Sequence, residues 1–91
     1  MSKRKGTRNE HRSINLLEAS GYRCTRSAAS LGMWDIIAIG AGDVLLVQVK
    51  TNRPPSRAET EALKQFRAPP PCRKLLHIWR DRQRLPEVRN L

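Results

Sequence analysis

Four residues of this 91-residue chain are of the right type to act on a phosphate: Glu10, Asp35, Gln48 and Lys50. The last three bracket the stretch WDIIAIGAGDVLLVQVK, Trp34 to Lys50, which has the pattern of two apolar strands joined by a glycine turn. With Gly40-Ala41-Gly42-Asp43 as the turn, Ile39 faces Val44, Ile37 faces Leu46 and Asp35 faces Gln48. Alternation then places Asp35, Ile37 and Ile39 on one face with Val44, Leu46, Gln48 and Lys50. Directly opposed side chains on such a pair have Cβ atoms ~4.5–5.5 Å apart. Asp35 and Gln48 are therefore expected to be neighbours, with Lys50 diagonally beside them at the open end of the hairpin. A carboxylate, an amide oxygen and an ammonium on one corner suit a hard cation such as Mg²⁺ (Mn²⁺ can substitute), which takes oxygen ligands and keeps several waters. Asp35 would bridge metal and phosphate, and Glu10 would hold the metal through a water. The Gln48 amide oxygen and the Val49 carbonyl would complete the protein ligands. Lys50 would neutralise the attacked phosphate or orient the attacking water. The same residues admit a structural reading, with an Asp35–Lys50 ion pair at the sheet end and Glu10 as a helix-start acid.

The elements that must position these residues follow from periodicity and breakers. Residues 1–8, MSKRKGTR, read as a basic flexible arm, and residues 9–91 as a single domain. A helix is expected from about Asn9 to Ser20, with Asn9 or Thr7 as N-cap and Gly21 as the stop. Ile14, Leu17 and Leu16 form its apolar stripe. Glu10 falls on that inward face one turn earlier, and would cover the Asp35 corner if the helix packs on that side of the sheet. Tyr22–Ser27 reads as a short strand and Ala28–Gly32 as a small-residue loop. Asp35–Ile39 and Val44–Val49 are the clearest strands. VLLVQV is almost continuously apolar, as expected for a strand covered on both faces. After TNRPPS, Ser56 and Glu59 have capping-box spacing for a helix to about Phe66, which APPPC ends. Lys74–Trp79 is a further strand, and RLPEVRNL an edge strand or tail. The order αβββαβ implies an α/β domain with a mixed central sheet flanked by helices.

Eighteen Lys/Arg against eight Asp/Glu give a formal charge of +10, spread along the chain. Such a surface attracts polyanions, with nucleic acid the leading partner. Cys24 and Cys72 have no metal-ligand spacing and read as structural thiols of a reducing cytoplasm. No apolar run reaches the length of a membrane span, and no P-loop, GxGxxG, HExxH or nucleophile-elbow motif is present. The chain is expected in the cytoplasm, nucleoid-associated or in a host cell if phage-encoded, with no membrane partner and no nucleotide cofactor. Phe66 and Trp79 could stack on bases, but their apolar surroundings favour core or interface packing. His77 in the last strand reads as structural. His11, beside Glu10, could shuttle a proton or touch phosphate, but the favoured reading is a surface histidine beside DNA with no part in the chemistry.

The motifs KGTRNE, GYRCTRSAAS, WDIIAI and LLVQVKT, in this order over roughly residues 5–66, resemble those of archaeal-type Holliday junction resolvases and their small bacterial and phage relatives. These belong to the PD-(D/E)XK nuclease superfamily. The resemblance implies a restriction endonuclease-like αβββαβ core, a homodimer, and Mg²⁺-dependent cutting of branched DNA in recombination and repair. It makes Glu10 the helix acid, Asp35 the central metal ligand and Lys50 the catalytic lysine. Arg26 matches a basic residue beside the DNA phosphates, and Ser30 a serine in the loop before the aspartate. Trp34 replaces the proline of the motif name. His11 follows the helix acid where resolvases often carry arginine, a place Arg12 could fill. Gln48 stands where the family usually has an acid.

The expected activity is that of a metal-dependent endonuclease, structure-directed or non-specific, because no element has the form of a base-edge reader. Lys3, Arg4, Lys5, Arg8, His11, Arg12, Arg26, Ser30 and Arg53 are the expected DNA contacts, tracking phosphates. The alternative, motivated by Gln48, is a DNA-binding protein on the same fold with a weakened site.

Overall fold

A computed structural model describes residues 2–27 and 33–91, with residues 2–5 described by their backbone alone. The elements are α1 (Ser2–Ala19), β1 (Arg23–Arg26), β2 (Ile36–Ile39), β3 (Val44–Thr51), α2 (Arg57–Gln65), β4 (Cys72–Trp79) and β5 (Glu87–Asn90). They build one five-stranded sheet in the order β1-β2-β3-β4-β5. The single parallel pair, β3 and β4, is joined by the crossover through α2, and the other pairs are antiparallel.

The hairpin has the register expected from its glycine turn, with Ile39 opposite Val44 and Ile37 opposite Leu46. Gly40 is required there, since a Cβ would meet Tyr22 Cε1 at 2.6 Å. The tyrosine lies across the turn and donates its hydroxyl to the Asp43 carboxylate (2.9 and 3.0 Å). Gly21, at φ 99°, ends α1 as expected.

The N-terminal boundary differs from expectation. Helix α1 begins at Ser2, so residues 2–8 continue the helix instead of forming a separate arm. Lysine and arginine are good helix formers, and one glycine is the only breaker in the run. Within RLPEVRNL the residues Glu87–Asn90 form the short edge strand β5, all four of them exposed. The capping box at the start of α2 is present, with Glu59 N–H donating to Ser56 Oγ and Ser56 N–H to Glu59 Oε1, both at 3.1 Å. At the other end, Lys74 Nζ donates to the carbonyls of Leu63, Lys64 and Phe66 (2.9, 2.6 and 2.8 Å), satisfying acceptors that the helix leaves open.

Two apolar layers sandwich the sheet. On one face Leu17 of α1 packs with Ile36, Ala38, Leu45, Val47 and Leu75. On the other, Leu63 of α2 packs with Trp34 and Leu46, flanked by Ile37 and Phe66. Trp34 and Phe66 meet edge to face at 5.5 Å. Trp79 is also buried, so the core reading of both lone aromatics holds for Trp79 and the Phe66 ring contact.

The most buried stripe of α1 is polar at its start: Asn9 and Ser13 precede Leu17 at four-residue spacing. Each has a partner on the sheet. Asn9 Nδ2 donates to Thr51 Oγ1 (2.8 Å). Trp79 Nε1 donates to Ser13 Oγ (2.7 Å), which lies 2.9 Å from His77 Nδ1. His77 is buried at 2% exposure, and burial pulls its pKa from 6.5 to about 4. The neutral ring is thus favoured by folding, so this contribution is full above pH 6.5 and is lost as pH falls through 4. The expected loss approaches about 3 kcal/mol. Urea midpoints measured from pH 7.5 to 4 should show it, and His77→Leu should flatten the slope over that window. The thiols of Cys24 and Cys72 are free.

Candidate active site

Parallel strands β3 and β4 run side by side to Thr51 and Trp79, and the crevice beyond the carboxyl ends of parallel strands is the usual place for a site in an open α/β sheet. Asp35 lies at this end because β2 runs antiparallel to β3. Its N–H donates to Val47 O (2.9 Å), and its carbonyl accepts from Ser27 N–H (2.8 Å). Its carboxylate Oδ2 accepts from Val49 N–H at 2.8 Å. Burial pushes the Asp35 carboxyl above its ordinary range; the Val49 bond opposes this, the Glu10 charge adds to it, and Lys50 and Arg26 oppose it. The result is a half-buried carboxylate whose loss of water outweighs the compensating positive charge around it.

Gln48, next along β3 on the same face by strand alternation, carries a buried Oε1 with no hydrogen-bond partner. Among the described residues the buried side-chain atoms without a partner are Ser27 Oγ, Trp34 Nε1 and Gln48 Oε1. All three belong to residues next to, bonded to or opposite Asp35, so the polar shortfall of the described residues gathers at this corner. An unpartnered amide oxygen beside an under-compensated carboxylate is the donor set a hard cation fits. Among the described residues no three His, Cys, Asp or Glu cluster tightly enough to hold a metal by themselves. Gln48 and backbone oxygen would therefore have to supply what acids do not.

Lys50 does not pair with Asp35. Its Nζ donates to Glu59 Oε2 at 2.9 Å. Glu59 also closes the capping box, and these bonds, Lys50 foremost, hold its carboxyl below the usual range. Sequence reasoning credited Glu59 with the cap alone. The signal that could have found the pair is the short link between β3 and Ser56, which leaves the first turn of α2 close to the end of β3.

Glu10 reaches the site differently from the expected arrangement. Helix α1 covers the Ile36/Ala38/Leu45/Val47 face, whereas Asp35, Gln48 and Lys50 share the α2 face. Glu10 also flanks the buried Asn9–Ser13–Leu17 stripe instead of lying within it. Both faces of β3 are apolar, so alternation alone did not decide which helix takes which side. Glu10 nevertheless lies near enough for its charge to act on Asp35. Its Oε1 accepts from Arg26 Nε and Nη2 (3.0 and 2.8 Å).

The expected DNA contacts divide into groups. Arg8, His11, Arg26 and Arg53 are exposed. Arg12 is turned inward: its guanidinium stacks 4.1 Å from the Trp79 ring centroid and donates to Asn9 Oδ1 (3.2 Å) and Gln83 O (3.1 Å). Lys3, Arg4 and Lys5 lie on the first turns of α1, with side chains outside those described, and Ser30 lies outside the described residues. Among the described residues no helix is long and apolar enough to cross a membrane.

The family model of the archaeal Holliday junction resolvase (Hjc) matches residues 1–65. The fold matches the crystal structure of Archaeoglobus fulgidus Hjc, a Holliday junction resolvase from an archaeal hyperthermophile, with a TM-score of 0.70. The two chains are 24% identical, and the match covers 96% of this chain and 71% of that one. No curated protein sequence matches this chain. The α/β architecture is thus that of the restriction endonuclease-like resolvase fold.

Proposed function

Because this chain belongs to the archaeal Holliday junction resolvase family, we propose that it is a divalent-metal-dependent endonuclease that cuts branched DNA at the Asp35–Gln48–Lys50 corner. The observation that carries this reading is the unpartnered Gln48 Oε1 on the same corner as the half-buried Asp35 carboxylate. Asp35, Gln48 Oε1 and the Val49 carbonyl would hold Mg²⁺ or Mn²⁺, with Glu10 in support. A cation there supplies positive charge to the scissile phosphate and lowers the pKa of a nearby water.

The remaining work falls to the chain's own groups. Lys50 places an ammonium where charge builds on the phosphate as the water oxygen bonds to phosphorus and the ester bond breaks. Glu59 holds that ammonium at the rim until phosphate competes for it. Arg26 has two uses for one guanidinium: it neutralises Glu10 in the free protein and is exposed to solvent, where it would meet a DNA phosphate. Lys3, Arg4, Lys5, Arg8 and Arg53 extend the basic surface along the backbone, giving affinity without base reading. His11 is a further phosphate contact. Resolving a junction takes two paired cuts and one chain carries one such corner, so the active species is a homodimer.

The test is cleavage of a four-way junction, a linear duplex and a single strand in Mg²⁺ and Mn²⁺. Preferential cutting of the junction is expected. Gln48 motivates the second reading, a DNA-binding protein with a weakened site, because a neutral oxygen attracts a cation less than a carboxylate. Tight junction binding with no cutting in either metal would establish that second reading. Gln48→Glu separates the two further. It should lower the half-saturating metal concentration about tenfold by adding a charged ligand, and an unchanged metal titration would remove Gln48 from the ligand set.

A further inference from the structure

The family match ends at residue 65, and the chain beyond it returns to the site. Past the carboxyl end of β4 the backbone turns at residues 80–83, closed by Gln83 N–H donating to Arg80 O (3.1 Å). Arg82 sits in this turn at φ 67°, a left-handed conformation that glycine or asparagine adopts more readily than arginine. The adjacent turn, which follows Lys50 and Thr51, holds Asn52 at φ 65°.

The two turns are bonded to each other. Asn52 N–H donates to Trp79 O (2.7 Å), Asp81 N–H to Asn52 Oδ1 (2.9 Å), and Asn52 Nδ2 to Asp81 Oδ2 (3.3 Å). Helix α1 fixes them from a third side through Arg12, which stacks on Trp79 and donates to Gln83 O. The 80–84 turn is therefore anchored to β3, β4 and α1 immediately beyond Lys50. It presents Arg82 and Arg84, and the neighbouring turn presents Arg53; all three are exposed. None of the three makes an ion pair among the described residues, whereas Arg80 and Arg89 nearby share Glu87. Exposed cations with no ion-pair partner of their own, on a braced turn, are poised for an anion that comes from outside the chain. The anion that must pass this end of the sheet is the backbone of the DNA being cut.

We propose that the 80–84 turn is a second phosphate-binding surface, in which Arg82 and Arg84, with Arg53 beside them, grip the DNA arm that extends past the cut site. This rests on the resolvase reading above. It adds a contact from the part of the chain that the family model does not span.

The test is the salt dependence of junction binding, measured in EDTA so that no cutting occurs, for wild type and for the Arg82→Gly/Arg84→Ala double variant. Glycine is at ease at positive φ, so Arg82→Gly removes the charge without straining the turn, and thermal melting checks the fold. Each phosphate contact contributes about 0.9 to the slope of log K against log salt, so the slope should fall by about 1.8 and the affinity by at least roughly tenfold at fixed salt. Arg23→Ala is the control for net charge. Arg23 pairs with Ile39 at the hairpin-turn end of the sheet, away from Lys50, and its loss should leave the slope unchanged. A wild-type slope in the double variant, with DNA still bound, would overturn this inference alone. So would an equal fall in Arg23→Ala. Failure of the wild type to bind any DNA would instead overturn the resolvase reading and this inference with it.

Discussion

Replacing Lys50 with alanine should lower junction cleavage by roughly 10²–10³-fold while leaving the protein folded and bound to DNA. The size follows from the position of the ammonium. Lys50 sits at the carboxyl end of β3, on the face shared with Asp35 and Gln48, where in the proposed reaction charge would accumulate on a phosphate in the transition state. The same charge does little for the ground state of the free protein. Its partner Glu59 is half-exposed, with a Nζ–Oε2 distance of 2.9 Å. An ion pair so open to solvent contributes about 0–1 kcal/mol, and Glu59 remains solvated and engaged in its cap when the lysine is gone. Melting temperature should therefore stay close to wild type, and junction affinity should change by no more than one phosphate contact. Single-turnover cleavage with enzyme in excess separates the effects, because it reads the chemical step without the binding step. A Lys50→Ala protein that cuts at the wild-type rate would show that the hydrolytic corner lies elsewhere. Comparable cutting by wild type and variant would also sink the proposed role of Asp35 and Gln48, which depend on the same corner.

Trp34→Ala should be the most damaging single change to the fold, costing about 3–5 kcal/mol. Trp34 is 1% exposed and packs with Leu46, Leu63 and Phe66 under α2. In a domain of this size such a loss is a large share of the total stability. The effect reaches the site because Trp34 precedes Asp35 directly and anchors the chain where it enters β2. Trp34→Phe supplies the contrast. It keeps most of the apolar ring area and removes an indole N–H that has no partner among the described residues, so part of the packing loss is offset by one fewer unsatisfied donor. Denaturant unfolding should rank wild type and Trp34→Phe close together and Trp34→Ala far below. Near-equal stability of all three would mean that this tryptophan is not a core anchor.

The hairpin shows how much chemistry local rules can place. Its register follows from a glycine turn and from period-two alternation, and the observed pairing of Ile37 with Leu46 is the one those rules predict. The same local logic located the capping box at Ser56 and Glu59 and the stop at Gly21, since each depends on residues within one helical turn. It failed at residues 2–8, where a run of charges was read as an arm although its helix propensity was good.

What the sequence by itself determined, then, was the alignment of Asp35 with Gln48 and Lys50 along one face, because strand geometry is a short-range property. Tertiary structure alone decided what surrounds them. Strand β3 is apolar on both faces, so nothing in its pattern assigns α1 to one side and α2 to the other. That choice puts Glu59 within reach of Lys50 and leaves Glu10 to Arg26. It also joins Ser13 to His77 and Trp79, residues more than sixty positions apart, and ties the turn carrying Arg82 to the turn after Lys50. Such partners meet only when the whole sheet closes, since the bonds that fix them span distances along the chain over which no periodicity carries information.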